Sequence, residues 1–269
     1  MTDLISSQAS IHPSAKVADS VEIGPHCVVG PDVQIGAGTR LIANVVIRGH
    51  VTIGRYNTIH PGTVIGGEPQ DVSYRNEPTT VTIGDHNIFR ECVTINRGTV
   101  KDLANTAIGS HCYLMACAHV AHDCRIGNHV IMANGTMLGG HCQVHDNASL
   151  SGAVAVHHFV TIGKYAFVGG MSRVLQDVPP YMLNEGQPAK PRCVNIVALK
   201  RNDFSKESIK ALTEAHRLLF RARVGLDHAR EILRSESKLL PEVTQLFEFL
   251  QRQHEGKFGR SRQARRAAA

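Results

Sequence analysis

From Ile108 onward an aliphatic residue or Met returns at every sixth position, through Leu114, Val120, Ile126, Met132, Leu138, Val144, Leu150, Val156, Ile162 and Val168 to Val174. An α-helical repeat of 3.6 residues drifts out of phase with such a series within about two turns. A six-residue period sustained this long predicts a parallel β-helix, in which three hexads close one triangular coil. No coil can bury its apolar face alone, so stacking supplies the core. The same period opens the chain at Ile11, Val17, Ile23, Val29, Ile35, Leu41, Ile47, Ile53, Ile59 and Ile65. Many hexads place Gly after the aliphatic residue, as in Ile23-Gly-Pro-His-Cys-Val, where the backbone turns tightly.

The phase breaks at 66–80, a stretch of Gly, Pro and polar residues that reads as a loop thrown out from the prism. Loops on a rigid scaffold are where ligand contacts concentrate. The hexads resume at Ile83, Phe89 and Ile95 and break again across Gly98–Ala107. Asp177-Val-Pro-Pro-Tyr is expected to close the coil, because two prolines cannot continue a ladder. After Pro191 the period becomes helical. Ser205 reads as an N-cap, with Ile209, Leu212, His216, Leu219 and Phe220 on one face. Further helices are expected at Leu226–Arg234 and Pro241–Gln253. The organisation read from the chain is a β-helix over 1–191 and a small helical domain with a basic tail over 192–269.

With 269 residues and 42% hydrophobic content the chain can bury a sizeable core. No apolar run is long enough to span a membrane, and the first residues lack the pattern of a secretory signal, so a cytoplasmic protein without membrane insertion is expected. The cysteines agree. Cys27, Cys112, Cys124 and Cys142 fall at the fifth place of a hexad, a small inward slot, and no C-x-x-C spacing marks a disulfide framework or zinc site. Cys92, Cys117 and Cys193 have no assigned role. The net charge is +6, but Lys257, Arg260, Arg262, Arg265 and Arg266 are followed by no acid, so most of the excess sits in the tail. That tail reads as a solvated end that could meet an acidic partner. A nucleic-acid binder is excluded, because no basic face with interleaved aromatics appears elsewhere.

Histidine is abundant, and most of it occupies outward hexad corners. His26, His50, His86, His111, His129 and His141 all stand at the fourth place. Coil arithmetic separates a few. Three hexads make a coil of 18 residues, so Gly140 lies one coil above His122 and His158 one coil above Gly140. His119, His122, Gly140, His141, His157 and His158 therefore form a column along one edge. Asp123 can fix the tautomer of His122, which makes the imidazole a general base. Gly140 can offer an unobstructed N–H to an oxyanion. Acyl transfer to a hydroxyl or amine without a covalent enzyme intermediate suits this set; a stack of surface histidines is the alternative. A metal site gathered across subunits, as in γ-class carbonic anhydrases, needs a His-x-x-x-x-His pair, and His119-x-x-His122 is too short. No metal and no cofactor are expected.

Over nearly its whole length the sequence resembles the UDP-N-acetylglucosamine acyltransferases that begin lipid A synthesis. The matching segments are Ile65-Gly-Gly-Glu-Pro-Gln-Asp, Asn96-Arg-Gly-Thr, Ala118-His-Val-Ala-His-Asp-Cys, Leu138-Gly-Gly-His, Val156-His-His-Phe, Gln176-Asp-Val-Pro-Pro-Tyr and Val194-Asn-Ile-Val-Ala-Leu-Lys-Arg. The resemblance implies a left-handed coil, a homotrimer with active sites between subunits, and transfer of a 3-hydroxylated acyl chain from acyl carrier protein to the 3-position of UDP-N-acetylglucosamine. It implies His122 as base, Asp123 as its orienting partner and Gly140 as oxyanion donor. Gln70, Asp71, His119, His141 and His157 resemble substrate contacts, Asn195 and Arg201 nucleotide contacts, and Gly170, beside Met171, the limit on acyl length. Ser73, Asn96, His158, Val197 and Asn202 depart from the residues that well-known members carry there. The acceptor is therefore the UDP-sugar or its 3-amino analogue. The sibling N-acyltransferase is set aside because its additional N-terminal domain has no room before Ile11. An acetyl-CoA-dependent hexapeptide transferase and an idle scaffold remain alternatives.

Overall fold

The computed structural model describes residues 4–263, and it turns the hexads into a three-sided prism. Strands mostly two residues long stack into three sheets of nine, eight and ten strands, one on each side, parallel except for the last strand of the ten. The register follows the sequence period: Val120 pairs with Leu138, Leu138 with Val156, and Val156 with Val174. Ile108, Ile126, Val144 and Ile162 form a second such column, and Leu114, Met132, Leu150 and Val168 a third. All twelve are buried, and they fill the prism together with Cys27, Cys112, Cys124 and Cys142.

The two phase breaks are absorbed outside the ladder. On the eight-stranded side Ile53 pairs with Ile83 and Ile83 with Ile108, so that side passes both inserts in register, while on the nine-stranded side the register shifts by one residue between Ile65 and Gly67. A buried amide ladder ties these coils together. Asn57 Oδ1 accepts from the Asn87 N–H at 2.9 Å, and Asn87 Oδ1 accepts from the Cys112 N–H at 2.8 Å. Phe89 is the one aromatic residue of the prism core among the described residues and is fully buried. Phe89→Ala is expected to cost about 3–5 kcal/mol through the cavity it leaves. Guanidinium denaturation at fixed protein concentration would show this as a lowered midpoint with an unchanged slope.

The prolines do not close the coil. Val178 still bridges Ile162, and Leu183–Asn184 pair in parallel with Phe167–Val168. Only the N–H groups of Pro179 and Pro180 are missing, and these residues fall at a corner, where the ladder needs none. The strand Met182–Gly186 then folds back as an antiparallel hairpin with Ala189–Val194, so β structure runs past Pro191. Four helices follow: α1 (Ile196–Arg201), α2 (Lys206–His216, continued by a π-helical turn over Arg217–Arg221), α3 (Leu226–Ser235) and α4 (Pro241–Glu255). The Ser205 side chain caps α2, as its position predicts. The short α1 and the hairpin were not foreseen, because six residues are too few to show a helical period. A second apolar core lies between α2, α3, α4 and the hairpin, sealed against the prism end by Tyr181. No helix among the described residues is long and apolar enough to cross a membrane.

The tail differs from the solvated end expected of it. Arg260 is buried and donates to the Leu175 carbonyl at 2.9 Å, and the Ser261 N–H reaches Asp177 Oδ2 at 2.7 Å. Backbone N–H and carbonyl groups freed at the last coil thus find partners in the tail, so it docks. Arg265 and Arg266 lie outside the described residues.

Candidate active site

The histidine column forms at the edge where the nine-stranded side turns into the eight-stranded side. Asp123, His141 and Phe159 take left-handed backbone conformations there (φ 61°, 62° and 65°) and stack coil upon coil. The Asp123 carboxylate is fully buried. It accepts from the Thr99 N–H at 2.8 Å and the Thr99 hydroxyl at 2.7 Å, and it lies 2.8 Å from His122 Nδ1. Burial works to raise its pKa, but these bonds outweigh burial and hold it below the usual carboxylate range. Asp123 therefore stays ionised, directs Nδ1–H of His122 towards itself and leaves Nε2 as the proton acceptor.

Gly140 faces that imidazole. A Cβ at this position would lie 2.5 Å from His122 Cε1 and 2.6 Å from Nε2, so no side chain fits without moving the ring. The Gly140 N–H has no acceptor among the described residues, whereas its neighbours Gly139 and His141 donate into the ladder. An imidazole nitrogen and an N–H without an acceptor thus stand side by side, a pair that could serve addition to an acyl carbonyl.

His141 does not occupy a solvated corner. It is buried, stacked on Phe159 at 4.4 Å and edge-on to His122 at 5.1 Å, because the second insert and the tail cover this stretch of the edge. Burial pushes its pKa down. His119 sits on the strand below with Nδ1 2.7 Å from the Thr94 hydroxyl, and burial lowers it as well. His157 lies tilted against His158, centroids 3.8 Å apart.

The first insert joins this edge through the second. Asp71 pairs with Lys101 at 2.5 Å and accepts from the Ser73 N–H and hydroxyl, and these partners, Lys101 foremost, hold its carboxyl well below the ordinary range. Gln70 is exposed beside it. Thr99, Lys101 and Asp102 were not singled out from sequence. Their segment falls in a break of the hexad, where coil arithmetic cannot place a residue, although Thr99 closes the Asn96-Arg-Gly-Thr segment.

His122, Asp123 and His141 place one ligand atom each within 4.8 Å of one another, a spacing that could hold a metal ion. The Asp123 carboxylate, however, is already taken by donors from Thr99 and His122, which fits an orienting role better than coordination.

The other expected contacts lie elsewhere on the chain. Asn195 and Arg201 line a cavity of about 570 Å³ on the outer surface of the ten-stranded side, floored by Ile131, Leu150 and Phe167. Asn195 also caps α1, accepting from the Ala198 N–H and donating to the Tyr165 carbonyl at 2.9 Å. Gly170 and Met171 lie on a different edge, between the ten- and nine-stranded sides. A Cβ on Gly170 would meet only Gly152 O at 3.4 Å and Ser151 Oγ at 3.5 Å, and Met171 is 71% exposed.

Comparison with known proteins bears on the fold and the family. Residues 177–258 match the family described as UDP N-acetylglucosamine O-acyltransferase, domain 2, and residues 32–67 and 105–140 match the bacterial transferase hexapeptide repeat. The LpxA of Acinetobacter baumannii is 41% identical over 91% of this chain and 96% of its own, with a TM-score of 0.87. The UDP-N-acetylglucosamine acyltransferase of Francisella novicida is 37% identical over 92% of this chain and 91% of its own, with a TM-score of 0.87. The Arabidopsis enzyme of the same name is 30% identical over 97% and 99%, with a TM-score of 0.82. A family-specific terminal region, a shared prism and identity along nearly the full length coincide, and the chain belongs to the UDP-N-acetylglucosamine O-acyltransferase family.

Proposed function

We propose that this acyltransferase moves a 3-hydroxylated acyl chain from acyl carrier protein to the glucosamine 3-hydroxyl of UDP-N-acetylglucosamine, with His122 as general base. The observation that carries the reading is the Thr99–Asp123–His122 chain with the free Gly140 N–H beside it. His122 Nε2 takes the hydroxyl proton as the oxygen attacks the thioester carbonyl. The Gly140 N–H stabilises the resulting oxyanion, and collapse expels the carrier's thiolate, which recovers the proton from the imidazolium. No residue is acylated.

Gln70, Asp71, His119, His141 and His157 surround this centre as sugar contacts. Asn195 and Arg201 serve the nucleotide, and the open corner at Gly170 and Met171 receives the acyl tail. These groups stand on separate sides of one protomer, which supports a homotrimer whose sites form where the edge of one subunit meets the helical end of the next. A cytoplasmic location goes with an acyl carrier protein donor. The test is acyl transfer from a panel of 3-hydroxyacyl carrier proteins to UDP-N-acetylglucosamine and to its 3-amino analogue, with products weighed by mass spectrometry. An ester of the UDP-sugar is expected. An amide on the analogue alone would reassign the acceptor, and turnover only with acetyl-CoA would overturn the donor.

A further inference from the structure

One feature of the edge has no part in the mechanism above. Asp102, on the second insert, is largely buried among three partners. Arg125 holds Oδ1 at 2.7 Å, Arg262 of the C-terminal tail holds Oδ2 at 3.2 Å, and His141 Nδ1 lies 3.5 Å from the same Oδ2. Arg262 also donates to the His141 backbone carbonyl. On the opposite side of the ring, Nε2 lies 3.7 Å from Asp123 Oδ2, an oxygen already engaged by His122 and the Thr99 hydroxyl. The charged and titratable groups facing this imidazole are thus Asp102, Asp123, His122 and Arg262, with Phe159 stacked on its face.

A neutral imidazole can donate from one nitrogen only. His141 Nδ1 is buried without a hydrogen-bond partner among the described residues and faces the Asp102 carboxylate, while Asp123 Oδ2 is already occupied, so the proton is placed on Nδ1, towards Asp102. Nε2 is then left as an acceptor beside a carboxylate, with no donor among the described residues.

We propose that Asp102 and Arg262 are positioning residues for the transfer site: the tail guanidinium fixes Asp102, and Asp102 sets His141 with Nε2 free to accept a hydroxyl or amide N–H of the acceptor sugar. The inference rests on His141 being a sugar contact. It gives the docked tail a task in catalysis. Arg260, Ser261 and Asp177 anchor the segment, and Arg262 delivers its charge to the site.

The test compares Arg262→Ala, Arg262→Lys, Asp102→Ala and the double alanine variant in the full-length protein. Steady-state kinetics and melting temperature are measured for each, and the imidazole signals are read by ¹⁵N NMR on histidine-labelled protein. In each single alanine variant KM for UDP-N-acetylglucosamine should rise about tenfold, the effect of one lost hydrogen bond, with kcat changed much less. Lysine at 262 should recover part of the loss. The double variant should be no worse than Asp102→Ala, since both act through one carboxylate. The His141 signals should move away from the Nδ1–H tautomer in both alanine variants. Multiplying effects in the double variant, or a lower melting temperature with KM and ring signals unchanged, would overturn the proposal. If wild-type protein turns over no UDP-sugar, the functional reading fails, and the tautomer signal still decides for or against the relay.

Discussion

His122→Ala should lower kcat by about 10³, within the 10²–10⁴ that a positioned general base contributes, while KM for the UDP-sugar changes little. The side chain is 12% exposed and its only side-chain hydrogen bond among the described residues is the one to Asp123, so its removal leaves the prism ladder intact. Asp123→Asn should come close to the same loss by a different route. An amide NH₂ facing His122 Nδ1 would reverse the tautomer, putting the proton on Nε2 where the acceptor is needed. It would also leave the Thr99 donors partly unmatched, so this variant should lose stability as well as rate. Single-turnover acyl transfer separates the two effects, because it reports chemistry without product release. Rates in His122→Ala equal to wild type would remove the imidazole from the mechanism.

What the sequence made legible follows from what is periodic. Twelve aliphatic positions from Ile108 to Val174 announce the prism, and the coil length places Gly140 over His122 without any coordinates. The helices α2, α3 and α4 were equally readable, since each is long enough to show an apolar face and α2 has an N-cap serine. Legibility stops wherever the chain leaves the period. Thr99 and Asp102 reach the Asp123 and His141 edge from inside an insert, and nothing in a hexad count says which edge an insert covers. His141 shares its hexad place with the exposed ring stack of His86, His111 and His129 but lies on another edge, under the insert and the tail. Its burial is a fact of covering, not of hexad position. The tail failed for a related reason: a run of arginines reads as solvated until the last coil offers it carbonyls and Asp177. The roles expected of Asn195, Arg201 and Gly170 rest on resemblance alone, since no spacing rule links them to the His122 edge.

Gly140→Ala should be nearly as damaging as loss of the base, at about 10²–10³ in kcat, although it adds a single methyl group. The new Cβ would lie 2.5–2.6 Å from two atoms of the His122 ring, well inside contact distance. The ring cannot step aside freely, because Asp123 holds Nδ1 at 2.8 Å and Asp123 is itself fixed by Thr99. Either the imidazole rotates off its partner or the backbone at 140 shifts, which turns the N–H away from the oxyanion. Both results separate the base from the oxyanion donor, and a displacement of this size in a reacting geometry is costly. The two routes differ in a double-mutant comparison. If the clash dominates, Gly140→Ala should cost little further in a His122→Ala background, because the ring it strikes is gone. If the main effect is on the N–H, the second substitution should still lower the residual rate, since the oxyanion needs its donor whichever group takes the proton. A Gly140→Ala enzyme with wild-type kcat in the presence of His122 would show that the imidazole works from another position, and the base–donor pairing would fall with it.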